Sequence, residues 1–127
     1  MTSTENLWGE IPKTGTSPTP LAILRQQAGL LGESTNNLLV GKVKFLSRSD
    51  KFVLGLRIVA PALDNYQFEI LTVVYPIELY PLVVTSSDNE PIRCEDESAF
   101  KAALKNILSS EQVHRVVDTL LSQSQAA

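Results

Sequence analysis

One cysteine, one histidine, one tryptophan and one methionine are spread through this chain of 127 residues. A lone cysteine, Cys94, cannot close an internal disulfide, which fits a reducing compartment and leads us to expect a cytoplasmic protein. With a single histidine, too few ligands exist for a zinc site, and thiol–imidazole catalysis reduces to one pair, Cys94 with His114. No run approaches eighteen consecutive apolar residues, so a membrane-spanning helix is excluded. The first residues lack the charged-then-apolar pattern of a secretion signal, and none is expected. There is no glycine-rich phosphate cradle, no dinucleotide fingerprint and no Gly-x-Ser-x-Gly turn. We therefore expect no cofactor, no metal and no small-molecule ligand. The net charge of −3 gives no general pull towards nucleic acid or an anionic membrane.

What is present suits one globular domain, long enough to bury a core without disulfides or metals. Strand-like alternation fills the middle of the chain, because successive strand side chains point to opposite faces. From Leu38 to Leu46 one parity holds Leu39, Gly41, Val43 and Phe45, and the other carries Lys42 and Lys44. From Phe52 to Ala60 the apolar parity is Phe52, Leu54, Leu56, Ile58 and Ala60. The polar stretch Ser47-Arg48-Ser49-Asp50 between them is a hairpin connection. A third run, Tyr66 to Tyr75, puts Tyr66, Phe68, Ile70, Thr72 and Val74 on one side, with Gln67, Glu69, Leu71 and Val73 on the other. A fourth, Leu79 to Thr85, contains Pro81, so it either lies at an edge or begins after the proline. Ile92 to Cys94 has the length of a short extra strand.

Helical patterns flank this block. Residues 1–17 read as a flexible or surface-draped arm in which Leu7, Trp8 and Ile11 stand out, either pinned to the body or docking into a partner. Thr19-Pro20 signals a helix start, Leu21, Leu24, Ala28 and Leu31 its apolar stripe, and Gly32 its stop. Asp96 caps a helix with the stripe Phe100, Ala103, Leu104, Ile107 and Leu108. Ser109 with Gln112 matches a capping box, opening a last helix on Val113, Val116, Val117, Leu120 and Leu121. Residues 18–123 thus form one domain and residues 124–127 a frayed tail. The order α-β-β-β-β-α-α, with no helix between strands, indicates an α+β fold around an antiparallel four-stranded sheet.

If all three helices cover the face of Phe45, Leu54 and Ile70, the reverse face exposes Val40, Val53, Val59, Leu71 and Val73. That is much apolar area to leave in water, so a homodimer, a stable protein partner or a helix crossing to that side is expected. Between Ser34 and Leu63, Lys42, Lys44, Arg48, Lys51 and Arg57 face one acid, Asp50. Such a patch suits an acidic protein surface, or serves to discourage edge-to-edge pairing. The parity of Phe45 and Phe52 argues against nucleic acid, since it turns those rings into the core. The acids Asp88, Glu90, Glu95, Asp96 and Glu97 lack calcium-loop spacing, and capping of the following helix explains them. Tyr75-Pro76 and Tyr80-Pro81 are either recognition ledges or turns packed by their own rings.

Two functions from different classes emerge. One is a non-catalytic interaction or adaptor module acting through Val53, Leu71 and Val73 of the sheet face or through Lys42, Lys44 and Arg57 of the basic hairpin. The other is a small hydrolase or transferase with a pocket near Cys94 and His114, which requires those two groups to converge.

Overall fold

A computed structural model describes residues 5–12, 15, 18–87 and 89–127. The remaining arm residues, and Asp88 of the carboxylate cluster, lie outside them.

Helix α1 spans Pro20–Ser34, capped by the Thr19 hydroxyl, which accepts from the Ala22 N–H at 3.1 Å. Leu24 and Ala28 are buried as the stripe requires, while the helix runs two residues beyond the anticipated stop at Gly32. Gly32 has no side chain to fill the space where Asn37 closes under the helix end: a methyl there would meet Asn37 Oδ1 at 3.1 Å. The Thr35 hydroxyl donates to the Leu31 carbonyl and accepts from the Leu39 N–H, tying the helix end to the first strand.

Five strands follow, not four: β1 Val40–Arg48, β2 Lys51–Ala60, β3 Tyr66–Pro76, β4 Leu82–Ser86 and β5 Asn89–Cys94. They form one antiparallel meander in the order β1-β2-β3-β4-β5. The fifth strand escaped a clear reading because it contains Pro91, yet it lies at the sheet edge, where a missing N–H costs no ladder bond. β4 begins just after Pro81.

The largest departure lies in β3. Its register with β2 passes from Leu56↔Leu71 to Arg57↔Glu69, so Ile70 is an extra residue, a β-bulge. A one-residue slip sends every later side chain to the opposite face. Leu71 and Val73, expected on the reverse face, are therefore core residues at 2% and 0% exposure. Val74, expected inside, emerges on the reverse side opposite Val53.

Helix α2 spans Glu97–Leu108, with Asp96 accepting from the Ala99 N–H at 2.8 Å. Helix α3 spans Glu111–Ala126 and is capped by Ser110 rather than Ser109, whose own hydroxyl is turned back to the Lys105 carbonyl. It continues through the residues read as a frayed tail, and Ser124 is buried. All three helices bury their stripes in one cluster with Leu54, Leu56, Ile58, Leu71, Val73, Leu82 and Val84. The molecule is thus two layers, helices over one face of a sheet, the α+β class anticipated. Among the described residues, no helix is long and apolar enough to cross a membrane.

Candidate functional site

The reverse face of the sheet is built by strand register. Leu46 of β1 pairs with Val53 of β2, Val53 with Val74 of β3, Val74 with Val83 of β4, and Val83 with Arg93 of β5. Four apolar side chains thus line up across four strands, about 14 Å at the usual inter-strand spacing. None belongs to the helix-covered cluster. Leu46 is 41% exposed and Val83 36%, and Val53 and Val74 are half-buried.

Neighbouring rows on the same face carry the charge. On one side lie Lys44, Gly55, Thr72 and Thr85, followed by Lys42, Arg57 and Glu69. On the other side Arg48 pairs with Lys51 at the mouth of the hairpin. Lys42, Lys44, Arg48 and Lys51 are exposed, and no ion pair engages them among the described residues. Arg57 differs: it donates to Gln67 Oε1 at 3.1 Å and lies 3.4 Å from Glu69 Oε2, so its charge is spent within the sheet. Glu69 leans over Gly55, where an added methyl would stand 3.4 Å from its carboxylate. The outcome is an apolar strip bordered by free cations on two sides.

Of the residues expected to carry an interaction, Val53, Lys42 and Lys44 share this open face. Arg57 is on it but paired, and Leu71 and Val73 are on the opposite side. Leu46, Val74 and Val83 were not singled out. Leu46 was legible as the apolar odd member on the parity of Lys42 and Lys44. Val74 was hidden by the bulge.

Other candidates separate. Cys94 is fully buried at the end of β5, its thiol pushed above its ordinary value by burial and then by the nearby Asp96 charge. His114 is exposed on α3, and the cavities it lines, of about 280 and 520 Å³, do not include Cys94. Tyr75 turns inward at 4% exposure, its ring tilted against Phe52 at 5.3 Å between centroids, and Phe52 lies 5.6 Å from Phe45. Phe45, assigned to the core, is 44% exposed at the outer end of this aromatic row. Tyr80 is half-buried with its hydroxyl enclosed near Glu97. Glu97 and Asp96 belong to the first turn and cap of α2, the role foreseen for them. A cleft of about 600 Å³ between α3 and the start of β3 has Leu63, Tyr66, Phe68, Val116 and Leu120 as walls. Its one cation, Arg115, is held 2.6 Å from Glu111.

Fold and surface together define an α+β domain whose sheet is covered on one side and open on the other. No protein-family model matches the chain, and neither does any curated protein or solved structure.

Proposed function

We propose that this chain is a non-catalytic protein-interaction module of the cytoplasm that grips a partner through the open face of its sheet. The observation that carries the reading is the strip Leu46–Val53–Val74–Val83, uncovered by any helix and flanked by Lys44, Arg48 and Lys51. Apolar area supplies the affinity, and unpaired cations at its rim select orientation and partner charge. The fitting partner is a protein segment that combines apolar side chains with carboxylates. Face-to-face pairing of two copies is disfavoured, because each would bring Lys42, Lys44, Arg48 and Lys51 against the same cations of the other. The free buried thiol agrees with a reducing compartment.

The test titrates the intact protein with two short peptides, Glu-Leu-Trp-Glu-Ile and its counterpart with lysine in place of glutamate, followed by amide chemical shifts. Binding of the acidic peptide alone is expected, with shifts centred on Lys44, Leu46, Val53, Val74 and Val83. Val53→Lys and Val74→Lys should abolish it while the rest of the spectrum stays folded. Shifts centred on another surface, or equal binding of both peptides, would overturn the reading.

A further inference from the structure

Leu7, Trp8 and Ile11 are 84%, 81% and 56% exposed, and no other stretch of the described chain leaves so much large apolar surface in water. Two acids stand among them, Glu5 ahead of Leu7 and Glu10 between Trp8 and Ile11. The stretch is also locally shaped: Asn6 Oδ1 accepts from the Trp8 N–H at 3.0 Å, and Gly9 follows at φ +67°. The arm is therefore a partly preformed apolar tip carrying two carboxylates, and the open sheet face is an apolar strip with cations at its rim.

We propose that the segment Glu5–Ile11 of one copy docks on the open sheet face of a second copy, giving a reciprocal, arm-exchanged dimer. The inference rests on the reading of that face as a protein-binding surface and names its partner. The charges are complementary, an acidic arm against a basic rim. Trp8 supplies the large aromatic anchor that interface centres favour, and Glu5 and Glu10 meet Lys44, Arg48 or Lys51 at the rim. Exchange also removes the like-charge obstacle, because an acidic arm rather than a basic face meets each basic face. Two identical contacts close a dimer without leaving a free site.

Docking on the chain's own face is the competing arrangement, and the path of the chain weighs against it. Ala28 of α1 lies on Gly41 and the end of α1 lies by Leu39, so α1 runs antiparallel to β1 on the covered side of the sheet. The arm therefore leaves from the covered side. Thr19 is extended at φ −95°, ψ 155° between Pro18 and Pro20, which stiffen that exit. Returning to its own open face would require the connection to bend back around the β1 edge.

Because Trp8 is the sole tryptophan, its emission reports the docked arm directly. The intact protein is followed over a dilution series by light scattering and by Trp8 fluorescence. Expected are a dimer that dissociates on dilution and a red shift of Trp8 emission over the same concentrations. Trp8→Ala removes the anchor from both contacts and should raise the dimer dissociation constant about a thousandfold. Glu5→Lys with Glu10→Lys should also weaken the dimer, and adding Lys44→Glu with Lys51→Glu should restore it. Trp8 emission that ignores concentration, whether from a buried or a solvated ring, would overturn the exchange, as would a dimer that survives Trp8→Ala. Adding Glu-Leu-Trp-Glu-Ile to the Trp8→Ala protein separates the two levels. Binding at the face, when the intact protein shows no dimer, overturns the exchange alone; no binding overturns the face reading as well.

Discussion

Ala28 of α1 sits directly on Gly41 of β1: a methyl group at residue 41 would lie 2.6 Å from both the Cα and the carbonyl oxygen of Ala28. The obstacle is backbone, which no rotamer change can clear. Helix and strand are in closest contact there because neither residue has a long side chain. Gly41→Ala should lift α1 from the sheet and cost about 1–3 kcal/mol in urea denaturation. Gly55→Ala is the matched control. Its methyl would touch only the end of the Glu69 side chain at 3.4 Å, and stability should hardly change.

The bulge at Ile70 separates two lysine substitutions that look equivalent on paper. Val53→Lys places a charge on the open face, where Val53 and Val74 are half-buried and Leu46 is exposed; the protein should remain folded with a native circular dichroism spectrum. Leu71→Lys places it in the core at 2% exposure and should prevent cooperative folding. Even Leu71→Ala should cost about 2–5 kcal/mol, since it opens a cavity between β3 and the helices. A folded Leu71→Lys protein would contradict the β2–β3 register.

Period-two patterning assigned the two faces of β1 and β2, where charged residues mark one parity, although Phe45 on the inward parity is 44% exposed and Val59 on the outward one is 3% exposed. It failed in β3 because both parities are apolar: Phe68 and Ile70 on one, Leu71 and Val73 on the other. Nothing in such a run marks where the strand slips, and here no glycine or proline stands at the bulge. The candidate face was accordingly half legible. Val53, Lys42 and Lys44 were placed correctly on the side turned away from the helices; Leu71 and Val73 were displaced by the slip, and Val74 took their place. Pairing of Arg57 with Gln67 and Glu69 follows from the β2–β3 register, which sequence spacing does not contain. Helices were clearer because side chains close their first turns locally, as with Asp96 and Ala99.

Those caps give a further comparison. Asp96→Ala and Ser110→Ala each leave N–H groups of a first turn without a partner, and each should cost about 1 kcal/mol. Ser109→Ala should be close to neutral, since that hydroxyl only returns to a carbonyl of the preceding helix. Thermal or urea denaturation of the three variants would decide between Ser110 and Ser109 as the start of α3. A larger loss at Ser109 would favour the capping box read from sequence.

Alkaline conditions should weaken the fold through three enclosed acids. Burial raises Tyr75, Tyr80 and Cys94 above their ordinary values, and at Tyr80 the charges of Glu97, Cys94 and Asp96 add to the effect. A raised folded value means that the native state holds its proton more tightly than the unfolded chain does. The associated stability is complete below the unfolded values, 9.0 for the thiol and 10.0 for the phenols, and is lost as pH rises through the folded ones. Tyr80 isolates one share of this. Its hydroxyl is enclosed without a hydrogen-bond partner among the described residues, so Tyr80→Phe removes a polar group that gains nothing from them. At neutral pH the variant should match or exceed the parent in urea denaturation, and above pH 10 it should retain more of its stability. If Tyr80→Phe instead lost stability at neutral pH, the hydroxyl would have a partner, with the nearby Glu97 carboxylate as the group to examine.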